Sequence, residues 1–151
     1  MRLLALVALS TLAVDQASKY AVVWHMGLVE TGIIPVWPPF LVFHMGWNTG
    51  VNFGLLSGAG ARWGLVALAL AICVWAVTWV RHDRRPLVMT ATGLLVGGAL
   101  GNVIDRVLYG AVADFLNMSC CGIVNPYTFN VADIGVALGA FGLILSPPRR
   151  P

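Results

Sequence analysis

Four apolar stretches, each close to the length of a membrane-spanning helix, constrain the fold of this chain more than any other feature. A helix needs about 20 apolar residues to cross the hydrocarbon core of a bilayer. Only 10% of the residues are charged, whereas a soluble domain usually carries about 25%. We therefore predict an all-α membrane protein, a single integral-membrane domain over residues 1–151 with four transmembrane helices. The stretches cover residues 3–24, 63–80, 87–104 and 131–146.

The basic residues predict which way these helices face. Arg2, the segment 81–85 and the pair Arg149 and Arg150 together hold six of the nine Lys and Arg residues. With four spans, these three regions lie on the same side of the membrane. Loops rich in Lys and Arg remain in the cytoplasm, so we expect both termini to be cytoplasmic. The segments 25–62 and 106–128 then face outward.

The first stretch has an alternative interpretation as a cleavable signal peptide. Residues 1–13 combine one basic residue with an apolar run, as signal peptides do. The small-residue cleavage pattern is poor, however, and apolar residues resume after Lys19. We therefore expect this stretch to be retained as the first span.

Two further patterns predict how the chain packs. In the outward segment 30–58, three prolines precede the apolar run 40–43, which favours extended structure and a small β-like platform on the membrane surface. In the third and fourth spans, glycines recur every four residues, a spacing that lets helix backbones approach closely in lipid. These glycines are Gly93, Gly97, Gly101, Gly135 and Gly139.

Polar residues interrupt the apolar stretches near their outward ends. Ionisable groups inside spans are costly and usually functional. Asp15 and Lys19 are four residues apart, so they share a helix face and can pair. Asp105 is expected to pair with Arg106 or to cap a helix end. The polar residues at the outward side of the third and fourth spans are Asn102, Asp105, Arg106, Asn130 and Asp133, and Asp114 lies in the outward loop between them.

This set of residues favours hydrolysis by two carboxylates. The three histidines are scattered, and Ser18 diverges from the neighbouring Lys19 by about 100° around a helix, so a serine nucleophile is disfavoured. Two nearby carboxylates share one proton because both cannot remain ionised. The ionised one activates water, and the protonated one donates to the carbonyl and the leaving amine. Asp114, on a flexible loop, and Asp133, at a helix start, suit these roles.

Five motif blocks resemble those of lipoprotein signal peptidase, also called signal peptidase II, an aspartyl protease family. They occur in the family's order and extend over nearly the whole chain. Each block alone is only suggestive, whereas five in order on a four-span topology are specific. The blocks are Val14–Lys19, Trp47–Gly54, Gly97–Arg106, Val112–Phe115 and Phe129–Asp133.

The resemblance implies an endopeptidase of the bacterial inner membrane with its active site at the extracytoplasmic face. It would cleave the signal peptide of prolipoproteins just before a cysteine that carries diacylglycerol, and the cyclic peptide globomycin should inhibit it. No cofactor or metal is implied. By motif, Asp114 and Asp133 match the catalytic pair. The residues matching the substrate site are Asn48, Gly50, Asn102, Arg106 and Asn130, and those matching supporting positions, by structure or lipid contact, are Asp15, Lys19 and Asp105.

The sequence departs from the common family pattern at four positions. In the second block, Trp47, Val51 and Asn52 replace smaller or different residues, and Ile134 follows Asp133 where serine is frequent. We expect these changes to affect substrate preference rather than chemistry. Asn52 could add a polar contact to the site.

The same residues are also compatible with simpler structural roles. Asp133 could be a favourable charge at a helix N-terminus, Arg106 could extend to the interface, and Asn48 could be a turn residue. Asp15 and Lys19 are expected to form a structural ion pair. These roles leave the shared depth of the acidic residues unexplained.

Other functions fit the sequence less well. A proton-coupled transporter would carry its carboxylate near the membrane midplane, and a thiol oxidase would need more reactive cysteines than the adjacent Cys120 and Cys121. No basic run is interleaved with aromatics as a nucleic-acid surface requires. The family resemblance implies a lipidated prolipoprotein and membrane lipid as partners, and the charge pattern leads us to expect no nucleic acid.

Overall fold

The computed structural model describes residues 1–50, 59–122 and 125–146 of the chain. Several residues of the sequence analysis lie outside these ranges: Val51, Asn52 and the rest of the platform segment 51–58, and the basic residues Arg149 and Arg150. The described helices are α1 (Arg2–Lys19, continued by a π-helical segment Tyr20–His25), α2 (Leu28–Thr31), α3 (Ala59–Val80), α4 (Pro86–Tyr109) and α5 (Val131–Leu145); the strands are β1 (Ile33–Trp37), β2 (Leu41–Asn48) and β3 (Val112–Asn117).

Helices occupy all four apolar stretches, and local sequence explains where two of them begin and end. Pro86 is the first residue of α4, a position where its fixed φ and missing N–H are harmless. Gly110 ends α4 with a left-handed φ of 84°, and its N–H bonds the carbonyl of Arg106. Asn130 caps the start of α5 with its side chain. α3 and α4 are longer than predicted, beginning at Ala59 and extending to Tyr109.

Two helices in the described ranges are long and apolar enough to cross a membrane. They are Gly60–Val80 and Pro86–Tyr109, with mean hydropathies of 2.1 and 1.7. α1 carries three charged residues, Arg2, Asp15 and Lys19, and α5 has only 15 residues. The charges of α1 and the short length of α5 are the features that set these helices apart from the two long apolar helices.

α4 lies at the centre of the bundle because its glycines let neighbouring backbones approach closely. A Cβ atom added to Gly93 would lie 2.8 Å from the backbone carbonyl oxygen of Leu4 in α1. A Cβ atom on Gly139 of α5 would lie 2.5 Å from the Leu95 nitrogen in α4. The close helix approach predicted at these glycines is confirmed, and its partners are α1 with α4 and α4 with α5.

A three-stranded antiparallel sheet, in the order β1-β2-β3, lies at one end of the bundle. The first two strands come from the predicted platform segment, and β3 comes from the segment after α4. The prediction of a flexible loop around Asp114 is wrong, because Asp114 lies in β3 and is only 3% exposed. Five of the six β3 residues are buried, so the strand lacks the alternating pattern that identifies strands in a sequence.

We predict that Gly139→Ala destabilises the bundle, whereas Gly64→Ala does not. The first substitution places a methyl group against the α4 backbone, and such overpacking costs about 1–3 kcal/mol. The second meets nothing within 4 Å, so the higher helix propensity of alanine, up to about 1 kcal/mol, should be retained. Thermal unfolding midpoints in detergent micelles measure both effects. Equal midpoints for the two variants would contradict the close packing of α4 and α5.

Candidate active site

Asp133 is held in place by the hydrogen bonds that begin helix α5. Its backbone N–H donates to Asn130 Oδ1 at 3.0 Å, and the Asn130 N–H donates to Asp133 Oδ2 at 3.1 Å. This reciprocal capping box satisfies two backbone donors that would otherwise lack partners at a helix start. The helix start therefore fixes the orientation of the Asp133 carboxylate.

Asp114 receives a hydrogen bond on each of its carboxylate oxygens. Asn130 Nδ2 donates to Oδ1 at 2.6 Å, and Asn48 Nδ2 donates to Oδ2 at 3.0 Å. The antiparallel pairing of β2 with β3 places Gly46 opposite Asp114 and Asn48 opposite Val112, so the sheet register brings the Asn48 side chain within reach. Asp114 is therefore buried, and each of its carboxylate oxygens accepts a hydrogen bond from an asparagine amide.

Asn102 of α4 completes a network that links the two carboxylates. Its Nδ2 donates to Asp133 Oδ1 at 2.9 Å, and its Oδ1 accepts from Asn130 Nδ2 at 3.2 Å. Asn130 contacts both aspartates, and Asn102 contacts Asn130 and Asp133. The structure thus brings together five residues singled out in the sequence from four separate elements.

The electrostatic surroundings of Asp114 favour its protonated form. Burial, followed by the negative charge of Asp133, raises the pKa of Asp114 to about 6, against the opposing effect of the hydrogen bonds from Asn48 and Asn130. A carboxyl group with this pKa exchanges protons near neutral pH. Such a group is suited to general acid–base catalysis.

Arg106 lies on the other side of this network, beside the end of β2. A Cβ atom added to Gly50, which has a left-handed φ of 78°, would lie 3.6 Å from Arg106 Nη2. Arg106 Nη1 donates to the Asn102 carbonyl at 3.4 Å, and its buried Nε has no hydrogen-bond partner within the described part of the chain. Among the described residues, the Nε donor of this guanidinium is therefore unused, and its charge acts on both Asp133 and Asp114.

Two cavities reach the network. One, of about 200 Å³, lies between the end of β2 and residues 126–128 and is lined by Asn48 and Asp114. The other, of about 220 Å³, is mostly apolar and lies among α3, α4 and α5, with Asn102 and Arg106 in its wall. The carboxylates are thus approached by a polar cavity on the sheet side and an apolar one between the helices.

A second buried cluster lies next to the first. The predicted pairing of Asp15 with Lys19 is confirmed, with Lys19 Nζ 2.8 Å from Asp15 Oδ2. The expected partners of Asp105 were wrong: it pairs with Lys19 at 2.8 Å rather than with Arg106, because adjacent helix residues diverge by about 100°. Gln16 also joins this cluster and was not singled out. Its polarity at the depth of Asp15 was the available signal.

Comparisons with known proteins identify the family of this chain. The model of the family described as Signal peptidase (SPase) II matches residues 7–147. The chain is 45% identical to the lipoprotein signal peptidase of Methylorubrum extorquens, covering 95% of this chain and 86% of the relative. It is 46% identical to that of Methylobacterium radiotolerans, covering 98% and 87%. A bacterial membrane enzyme solved by the in meso method at 1.9 Å resolution superposes with a TM-score of 0.80 at 31% identity, covering 93% of this chain and 89% of that one.

The apolar helices and these similarities define a membrane protease of the aspartic type. The chain belongs to the signal peptidase II family.

We predict that Asp133→Asn lowers the pKa of Asp114. The substitution removes a nearby negative charge, which favours ionisation of Asp114, and asparagine retains an oxygen for the capping box. Infrared titration of the carboxyl groups in detergent, with Asp114→Asn to assign the signal, measures the shift. Glu30→Gln, which neutralises an exposed acid in α2, is the control. It should leave the titration of the Asp114 carboxyl unchanged. An unaltered Asp114 titration in Asp133→Asn would show that the two carboxylates do not interact.

Proposed function

We propose that this chain cleaves signal peptides from diacylglyceryl-modified prolipoproteins, with Asp114 and Asp133 as its catalytic pair. Membership of the signal peptidase II family supports the reaction, since its relatives are named lipoprotein signal peptidases. The observation that carries the choice of residues is the network of Asn102 and Asn130, which joins two carboxylates at the boundary between an apolar bundle and a polar cavity.

The raised pKa of Asp114 supports a division of roles within the pair. Asp133, ionised, accepts a proton from water, and the resulting hydroxide attacks the scissile carbonyl carbon. Asp114, protonated, donates its proton to the carbonyl oxygen. As the tetrahedral intermediate collapses and the C–N bond breaks, Asp133 gives the proton it took from water to the leaving amine, and Asp114 recovers its proton from a hydroxyl of the intermediate. One water is consumed, and a carboxylate and an amine are released.

The predicted substrate residues surround this pair. Asn48 and Asn130 hold Asp114, and Asn102 holds Asp133, so we propose that they orient the carboxylates as well as meet the substrate. Arg106, with donor capacity to spare, would bind a backbone carbonyl or offset negative charge that develops during attack. Gly50 would let the substrate backbone pass close to Arg106, because it has no side chain to intervene.

The apolar cavity beside Arg106 supports a lipidated substrate. Its wall includes Ala69, Ile72, Leu95 and Val136 from three helices, a lining that favours acyl or aliphatic groups over water. We propose that substrate enters this cavity sideways from membrane lipid. Globomycin is expected to inhibit by competing for the same site, as the family resemblance implies.

We further propose that all four long helices span the inner membrane of a bacterium, with both termini cytoplasmic and the sheet extracytoplasmic. α1 and its π-helical continuation together cover 24 residues, Arg2–His25, long enough to cross. The 15 residues of α5 extend about 22 Å at 1.5 Å per residue, less than the hydrocarbon thickness of about 30 Å. If α5 reaches the cytoplasmic interface, Asp133 at its start lies below the outer surface, at the depth of a membrane-embedded substrate.

We predict that Asp114→Asn and Asp133→Asn each reduce cleavage on the order of 10³-fold, within the usual range for loss of an acid–base group. The assay follows the gel shift of a purified diacylglyceryl-modified prolipoprotein, with and without globomycin. Glu30→Gln is the matched control, because it removes the same charge from an exposed position, and it should process substrate normally. Normal processing by either aspartate variant would exclude the assigned pair.

The topology predicts different labelling of two single cysteines. In a background with Cys73, Cys120 and Cys121 replaced by serine, Tyr127→Cys should react with a membrane-impermeant maleimide in intact spheroplasts. His82→Cys should react only after permeabilisation. The cysteine-free background should retain cleavage, since the mechanism uses no thiol. Labelling of both positions in intact spheroplasts would contradict the assigned topology, in which the single span α4 separates His82 from Tyr127.

A further inference from the structure

Each proposed catalytic aspartate is preceded by a residue whose backbone N–H is tied to the buried ion cluster. Ala132 donates its N–H to Asp15 Oδ1 at 2.9 Å, and Ala113 donates its N–H to Asp105 Oδ2 at 3.1 Å. Asp15 and Asp105 are 0% and 1% exposed. Two carboxylates from α1 and α4 therefore hold the start of α5 and strand β3, one residue away from Asp133 and Asp114.

Two side chains of α1 join these carboxylates to each other. Lys19 Nζ lies 2.8 Å from both Asp15 Oδ2 and Asp105 Oδ2. Gln16 Nε2 lies 3.1 Å from Asp15 Oδ2 and 3.1 Å from Asp105 Oδ1, with a longer 3.4 Å approach to the Gly101 carbonyl. The amide of Gln16 has two hydrogens, one for each carboxylate.

Lys19 alone does not neutralise the two carboxylates of the cluster. Two carboxylates and one ammonium leave one excess negative charge in a buried site, where like charges repel strongly. Gln16 supplies two hydrogen-bond donors, one to each acid, without adding a net charge. Without these donors, Asp15 and Asp105 repel each other more strongly. Asp15 holds the segment that carries Asp133, and Asp105 holds the strand that carries Asp114.

A glycine makes room for this arrangement. A Cβ atom added to Gly101 would lie 2.5 Å from Asp15 Oδ2, so only glycine at this position lets the acid reach between α1 and α4. The cluster also reaches the active-site network, because Lys19 Nζ lies 3.5 Å from Asn102 Oδ1, and Asn102 donates to Asp133. Lys19 and Asn102 therefore connect the buried ion cluster to the active-site network by direct contacts.

We propose that Gln16 is a positioning residue which, by bridging Asp15 and Asp105, sets the separation between the two catalytic aspartates. It contacts neither the substrate nor the catalytic carboxylates and acts through the backbone of Ala113 and Ala132. The inference rests on the proposed catalytic role of Asp114 and Asp133. A small change in this separation is enough to matter, since a displacement of about 1 Å can reduce turnover on the order of 100-fold.

The test replaces Gln16 with methionine, which has similar length and volume but no N–H donor. We expect kcat for the lipidated prolipoprotein to fall on the order of 10- to 100-fold, with KM within about twofold. The pH profile of kcat should also shift, because the coupling between the two carboxylates depends on their separation. Ser18→Ala is the control on the same helix: it removes a hydrogen bond to the Asp15 backbone carbonyl and leaves the cluster intact, so kcat and the profile should be unchanged.

Thermal unfolding of each purified variant separates positioning from stability. A Gln16→Met protein with a lower unfolding midpoint but normal kcat per folded molecule, and a normal pH profile, would overturn the proposal. Asp114→Asn and Asp133→Asn are measured in the same assay. If both are inactive while Gln16→Met matches the unsubstituted enzyme, only the positioning role fails. If either aspartate variant remains active, the catalytic assignment fails, and the positioning role fails with it.

Discussion

A lysine ammonium shared by two carboxylates is the interaction on which the sheet end of the bundle depends. Lys19 is 4% exposed, and a buried ion without a partner costs several kcal/mol. Because Asp15 and Asp105 come from different helices, α1 and α4 cannot slide past each other without breaking the cluster. Asp15 Oδ1 also accepts the backbone N–H of Ala132, and Asp105 Oδ2, which faces Lys19 as well, accepts that of Ala113. One set of contacts therefore gives each buried ion an oppositely charged partner, fixes helix register and anchors β3 and α5.

Features encoded over short distances were predictable from the sequence, whereas those formed by distant residues were not. The apolar stretches identified the four long helices, the four-residue spacing identified the Asp15–Lys19 pair, and the glycine rows identified the packing faces. β3 was missed because burial on both faces removes its alternation. The partner of Asp105 was missed because Lys19 lies 86 positions earlier in the chain, and nothing in the local pattern connects them.

Within the candidate site, the roles of the asparagines likewise could not be predicted from local sequence. In the sequence, Asn48, Asn102 and Asn130 are compatible with turns, helix ends or substrate contacts, and only the family resemblance distinguished among these roles. In the folded chain each donates a hydrogen bond to a carboxylate. An amide can hold an anion without neutralising it, which suits a site in which one acid must remain charged and its neighbour must carry a proton. Lysine in these positions would favour ionisation of both acids.

The capping box at the start of α5 gives Asp133 two tasks that substitution by alanine cannot separate. Its Oδ2 closes the first turn of the helix, and its Oδ1 accepts from Asn102. Replacement by alanine would remove the reactive group and unravel the turn that presents it, so an inert protein would also be a poorly formed one. Asparagine, which has the same shape as aspartate, keeps an oxygen for the cap at the same position. A member of this lineage that had abandoned hydrolysis while keeping its architecture should therefore carry asparagine at this position.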